Sequence, residues 1–253
     1  MKDMRYIREL LERGQRADGR ALDEFRKVQL EIAPYEKPEG CAIATIGETR
    51  VMAGVKMEVG EPFADRPDEG VLMVNAEFSP LASPDFETGP PSVVSIELAR
   101  VVDRGIRESG VVDLKKLCMI PKESVWIVCV DLQILNHDGN LIDAAALAAV
   151  AALLNAKIPE YKDEMINYEK KTVKLPVKAK PVTVTVFKFG PHLLLDATVT
   201  EGGMSTAAMV VATNEVGNIC ALQKLGTEGI SEEEVLRMWA MASEKAKELR
   251  KLL

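Results

Sequence analysis

Hydrophobic positions change their period several times along the chain, and each change predicts an element. Met4, Ile7 and Leu11 recur at helical spacing with Gly14 as a stop, which predicts a short amphipathic helix over residues 3–13. RADGR (16–20) reads as a turn, with Asp18-Gly19 supplying the positive φ. From Val28 the period is two: VQLEIAPY, CAIATIG and TRVMAGVKMEV predict antiparallel strands joined by EKPEG and a tight GET turn. Residues 60–70 are expected as loop, VLMVNAEFSPLA as a strand, and SPDFETGPPS as a loop whose last residue, Ser92, caps a helix over 93–109. SVWIVCVDLQIL predicts a well-buried strand, and residues 141–157 an alanine-rich helix that neighbours can approach closely.

Residues 159–180, charged and rich in turn formers, break the pattern and are expected to connect two halves, 28–158 and 181–253, behind an N-terminal segment 1–27. The second half repeats the recipe of the first. PVTVTVFKFG and HLLLDATV form one hairpin turning at Gly190-Pro191, and STAAMVVATNEVGNICALQKLG a second turning at Asn214–Asn218. A helix follows from Ser231, whose hydroxyl forms a capping box with Glu234. Strands followed by helix, twice over, give an α+β chain of two pseudo-duplicated halves.

Composition narrows the functional classes. With 253 residues, 47% of them hydrophobic and 28% charged, the chain can bury one large core or two smaller ones. No apolar run is long enough for a transmembrane helix, and the N-terminus lacks a signal-peptide apolar stretch, so a cytoplasmic location is expected. Cys41, Cys118, Cys129 and Cys220 are scattered and expected to be reduced; without a CxxC, and with histidines only at 137 and 192, no metal site is expected. A net charge of −7 argues against non-specific coating of nucleic acid while leaving room for a local basic patch.

Three groups carry candidate chemistry. In LQILNHDGNLIDAAALAAV (132–150) a strand feeds a helix N-terminus, the place where unpaired N–H groups and the helix dipole attract phosphate. His137 and Asp138 stand at that corner, as an acid–base pair or as ordinary turn residues whose side chains diverge; no Ser or Cys nucleophile stands near to complete a triad. Arg100, Arg104 and Arg107 share one helical face, which is either a functional stripe or a solvated one with Asp103–Arg107 and Arg104–Glu108 ion pairs. Arg16 and Arg20 bracket the Asp18-Gly19 turn, where such a pair fixes the N-terminal segment to the core or to a neighbour; they are assigned an interface role. Arg66, surrounded by Asp65, Asp68 and Glu69, fits a solvated loop.

Over almost its whole length the chain resembles the RNase PH family, whose members share the ribosomal protein S5 domain 2-like fold. The resemblance rests on SIELARVVDRGIRES (95–109), ESVWIVCVDLQILNHDGNLIDAAALAAVAALLN (123–155) and EGGMSTAAMVVATNEVGNICALQKLG (201–226). It is greatest to the branch of non-catalytic ring subunits of the archaeal exosome. Catalytic members cleave RNA from the 3′ end with inorganic phosphate, which the resemblance ties to a Gly-Gly-Thr-Arg-like clamp and a Glu-Ala-Asp-Met-Pro-like carboxylate. Here Gly139 remains, but Asn140, Leu141 and Ile142 take the places of the second glycine, the hydroxyl and the arginine, and Asp143 follows with a charge that repels phosphate. Gly203 takes the place of the aspartate and has no group to move a proton or hold a metal ion.

The resemblance therefore implies a chain with no catalytic residues and no cofactor of its own; phosphate, with or without magnesium, would belong to the partner's active site. It implies an alternating hetero-hexamer, three copies each of this chain and a homologous catalytic subunit, acting on single-stranded RNA and carrying RNA-binding cap proteins. Arg100 and Arg104 would grip backbone phosphates without reading bases, while Arg107 is structural. Lys170, Lys171, Lys174, Lys178 and Lys180 could face RNA or simply solvate the connector. Two other readings remain open: an active phosphorolytic exoribonuclease with displaced catalytic residues, and a stand-alone S5-like RNA-binding module.

Overall fold

A computed structural model describes residues 2–253. Its organising element is the alanine-rich helix. A helix apolar on every side has to be covered on every side, and within Leu141–Asn155 every residue from Asp143 to Leu153 is buried. Around it the chain runs α1 (Lys2–Glu12), β1 (Val28–Ile32), β2 (Gly40–Ile46), β3 (Thr49–Gly60), β4 (Val71–Phe78), α2 (Val93–Glu108), β5 (Cys118–Ile120), β6 (Ser124–Asn136) and α3 (Leu141–Asn155). It continues through β7 (Lys157–Lys162), β8 (Met165–Lys174), β9 (Val182–Phe189), β10 (His192–Leu195), α4 (Val199–Met204), β11 (Ala207–Thr213), β12 (Ile219–Gly226) and α5 (Glu232–Leu249).

The first sheet has the order β1-β2-β3-β6-β4, with β5 added to β6. Its pairs are antiparallel except β4 with β6, which are parallel and joined by way of α2. Parallel neighbours need such a crossover, and α2 supplies it. The second sheet, β10-β9-β11-β12, is fully antiparallel and carries α5. α3 lies between β2 and β3 on one side and β9 on the other. The approach is close enough that a Cβ at Gly40 would stand 2.3 Å from the carbonyl oxygen of Ala152.

The expected helices and their caps are present. Ser92 Oγ accepts from the Ser95 amide, and Ser231 and Glu234 form both bonds of a capping box. Two segments differ from expectation. Residues 157–174, expected largely as connector, form a two-stranded hairpin, turning through Asp163 and Glu164, both at positive φ (51° and 60°). Two successive left-handed residues make the tight turn that suits a twisted hairpin, but it is normally signalled by Asn-Gly. The hairpin's Ile158, Tyr161 and Ile166 pack on the first core. The second difference lies after the hairpin: of HLLLDATV (192–199) only His192–Leu195 is strand, and the chain then forms a short helix, α4, for which no element was expected. Its capping box, Thr198 with Glu201, is written in the sequence as Thr-Val-Thr-Glu.

Candidate nucleic-acid interface

The corner between β6 and α3 is clamped from three directions. Thr49 Oγ1 donates to the Gly139 carbonyl oxygen at 2.6 Å and accepts from the Asp138 amide at 3.0 Å. Arg26 Nη1 donates to both the carbonyl oxygen and Oδ2 of Asp138, at 2.7 and 2.8 Å. The ring of His137 turns the other way and stacks on Phe86, centroids 5.4 Å apart. Burial holds this imidazole below its ordinary 6.5, against the opposing pull of Asp138 and Asp85. His137 and Asp138 are thus turn residues with diverging side chains.

Gly139, at φ 88°, presses on the segment before α4; a Cβ there would stand 2.3 Å from the Ala197 carbonyl oxygen. The structure therefore sets Gly139 against the segment that leads into α4, the helix that carries most of the second stretch singled out by the family resemblance, 201–205. The chemistry of 139–143 and 201–205 does not suit an anion. Leu141 and Ile142 line a cavity of about 230 Å3 with Phe78, Val94, Leu98 and Phe187, and the charged group at its wall is Glu97. Asp143 is turned inward: Oδ1 accepts from the Thr185 hydroxyl at 2.7 Å and Oδ2 from the Thr185 amide at 3.1 Å. Gly203 is exposed, with open space where a side chain would project, so no steric conflict excludes an aspartate there.

Arg16 and Arg20 require a correction. Arg16 is fully buried, not set at a contact with a neighbour: its Nε and Nη2 bond the two oxygens of Glu201 at 2.9 and 2.6 Å, and Nη1 and Nη2 each donate at 2.8 Å to the carbonyls of Leu195 and Asp196. Arg20 bonds Asp18 at 2.7 Å and Asp196 at 2.9 Å. The physical reason is that segment 16–26 crosses the second half at the point where β10 turns into α4. Its guanidiniums are the donors for the carbonyls and carboxylates left unpaired there. A third arginine, missed in the sequence, completes the set: Arg26 reaches Asp196 with Nε and Nη2, each at 2.8 Å. Burial works to raise the Asp196 carboxyl, but the bonds and charge of Arg26, with Asn140 assisting, outweigh it and hold the group below its ordinary range.

The α2 stripe divides. Arg107 is structural, bonding both oxygens of Asp103 at 3.0 and 2.6 Å and the Leu72 carbonyl at 2.7 Å. The expected Arg104–Glu108 pair is absent; Arg104 donates to Gln223 at 2.9 Å. Arg100 and Arg104 are exposed, and among the described residues neither side chain forms an ion pair. Two shallow grooves, of about 340 and 360 Å3, run along either side of them. The lysine run is mostly committed elsewhere. Lys171 donates to the carbonyls of Glu36, Lys37 and Pro38, Lys178 meets Asp113 at 2.9 Å, and Lys170 meets Glu160 at 3.3 Å. Arg66 is exposed on its loop, 4.0 Å from Asp65.

Residues 24–159 match the model of domain 1 of the 3′ exoribonuclease (RNase PH) family, and residues 180–245 match domain 2. The chain belongs to the RNase PH family. It is 44% identical over 247 residues to the exosome complex component Rrp42 of Methanosarcina acetivorans, covering 98% of this chain and 91% of the relative. With the component of the same name from Methanocella arvoryzae it shares 45% over 248 residues, covering 98% and 94%. The solved structure of the Archaeoglobus fulgidus exosome with RNA bound to the active site contains a chain that superposes with a TM-score of 0.92 at 45% identity, covering 99% of this chain and 97% of that one. α3 packs on β9 between the two halves, and the corner at its N-terminus meets the segment before α4 through Gly139 and α2 through the cavity lined by Val94 and Leu98. No helix among the described residues is long and apolar enough to cross a membrane.

Proposed function

We propose that this chain is a non-catalytic, RNA-binding subunit of a cytoplasmic archaeal exosome. In this reading it alternates with a homologous catalytic subunit, three of each, in a hexameric ring that degrades single-stranded RNA from the 3′ end by phosphorolysis. RNA-binding cap proteins sit on that ring. The names of its relatives support the complex, and the contrast between two neighbouring surfaces carries the assignment of role. The anion corner is filled by Leu141, Ile142 and the inward-turned Asp143, while on α2 Arg100 and Arg104 stand exposed and, among the described residues, without carboxylate partners. A nucleophilic phosphate has no clamp on this chain, yet a phosphodiester backbone has two permanently charged forks to bind. The active site would thus be the partner's, with these arginines guiding the strand into it.

Three measurements test the reading. The purified chain, given single-stranded RNA and inorganic phosphate, is expected to release no nucleoside diphosphate; robust release would overturn the non-catalytic role. Native mass measurement of the complex is expected to give equal numbers of the two homologous chains. In a reconstituted ring, Arg100→Ala with Arg104→Ala should weaken RNA binding. It should also flatten the dependence of log K on log salt by about 0.7 for each phosphate that the arginines no longer neutralise. An unchanged affinity and slope would remove the two arginines from the RNA path.

A further inference from the structure

Arg100 and Arg104 differ in a way that their shared helical face does not foretell. The Arg100 side chain has no hydrogen-bond partner among the described residues, so it enters any contact from a broad set of rotamers. Arg104 is held. It lines a small cleft, of about 10 Å3, together with Val101 of its own helix and Val210 and Ala221 of the second sheet. Its Nη1 donates to Gln223 Oε1 at 2.9 Å. Gln223 is itself oriented: it lies on β12 opposite Val210, and its Nε2 donates to the Lys224 carbonyl at 3.4 Å, which directs Oε1 toward the guanidinium.

We infer that Gln223 is a positioning residue for RNA: it fixes the Arg104 fork so that its remaining N–H groups face the grooves along α2. This inference rests on the proposed RNA-binding role of that face and deepens it. A neutral amide is suited to the task. It takes one of the five guanidinium donors without neutralising the charge, whereas the carboxylate of Asp103 takes two donors of Arg107 and cancels its charge locally. The orienting residue comes from the second half and the oriented one from the first, so the RNA-gripping geometry depends on how the two halves are docked. Preorganised in this way, Arg104 loses less side-chain freedom on meeting a phosphate than Arg100 does.

The test is a double-mutant cycle in the reconstituted ring, read as affinity for a fluorescent single-stranded RNA. Gln223→Met keeps the length and packing of the side chain and removes the acceptor. It is expected to weaken binding by roughly two- to tenfold, the range spanned by one net hydrogen bond. In an Arg104→Ala background the same substitution is expected to change nothing, while in an Arg100→Ala background its effect persists. Arg104→Lys, which cannot serve Gln223 and a phosphate with one planar fork, should lose more affinity than Arg100→Lys. The inference is overturned if Gln223→Met leaves the affinity of the otherwise unchanged ring intact, or if its effect survives loss of Arg104, which would make Gln223 an RNA contact in its own right. Should Arg104→Ala itself have no effect, the RNA reading of this face fails and the inference falls with it. An unfolding midpoint unchanged in Gln223→Met assigns any loss to the arginine and not to the sheet.

Discussion

Arg16→Ala is expected to destabilise the chain by about 3–5 kcal/mol, the usual cost of removing one partner from a buried ion pair. Arg16 and Glu201 have side-chain exposures of 0% and 4%, and the pair is bidentate. Truncation leaves a carboxylate inside the protein with the Thr198 amide as its remaining donor; it removes the 2.8 Å guanidinium bond to the Leu195 carbonyl and leaves the Asp196 carbonyl with Arg20 Nη2 at 3.3 Å. Each such orphaned group costs about 1–3 kcal/mol by itself. Arg16→Lys is not a rescue, because an ammonium cannot span two carboxylate oxygens and two carbonyls at once. Combining Arg16→Met with Glu201→Leu should recover part of the loss, since the larger share of the penalty lies in the unpaired charge. The α4 capping bond is still missing in that double variant. Urea unfolding of the single and double variants measures both quantities. A single-variant loss below about 1 kcal/mol would show that segment 16–26 does not anchor the α4 seam.

This seam also marks where the sequence stops being legible. Strand and helix signals are local, so the two sheets, α2, α3 and α5 follow from periodicity and caps read within a few residues. The arginine cluster is not local. Arg26 meets Asp138 and Asp196, which lie 112 and 170 positions away, and nothing in EFRK distinguishes it from a surface arginine. Arg16 and Arg20 stand out by their turn, but that turn does not say whether their acceptors lie inside the chain or on another one. The 157–174 hairpin escapes because its turn uses Asp163-Glu164, residues that normally avoid two successive left-handed conformations. α4 escapes for a different reason: its Thr-x-x-Glu box is present, but six residues give too little periodicity to outweigh the apolar strand before it.

The degenerate corner is legible in one respect and not in another. Substitution of the clamp positions by Asn140, Leu141 and Ile142 follows from the resemblance alone. The fate of Asp143 does not, for a carboxylate in the first turn of a helix ordinarily faces water and favours the dipole. Here α3 is covered on all sides, so its first turn is interior as well, and the acid is used to bind β9. At the corner where the resemblance expects an anion site, Asp143 instead ties the first half to β9 of the second.

Asp143 should consequently make stability fall as pH rises through the neutral range. Burial, opposed by the hydrogen bonds from Thr185 and Asn140, pushes its carboxyl from an ordinary 3.8 up to about 7, and the nearby Asp196 charge adds to the rise. Below pH 3.8 the acid is protonated in both folded and unfolded chains and favours neither. Between 3.8 and about 7 the unfolded chain ionises while the folded one keeps its proton, so the unfolded state is progressively favoured. Above about 7 both are ionised and the loss is complete. At 1.36 kcal/mol per pH unit the interval corresponds to about 4 kcal/mol. His137 acts in the opposite sense below its ordinary 6.5, because a buried imidazole resists the proton that the unfolded chain accepts. The difference between wild type and Asp143→Asn cancels that contribution and isolates the acid. Asparagine reproduces the protonated form: its oxygen can accept from the Thr185 amide while its NH2 donates to the Thr185 hydroxyl, which reverses its role. The variant is expected to match wild type near pH 4 and to be more stable by up to about 4 kcal/mol at pH 8, with most of the divergence between pH 5 and 7. Denaturant unfolding at several pH values checks it, and two curves that stay parallel from pH 4 to 8 would mean that Asp143 is ionised throughout. In that case the link between α3 and β9 would be a charged one, held by the Thr185 donors alone.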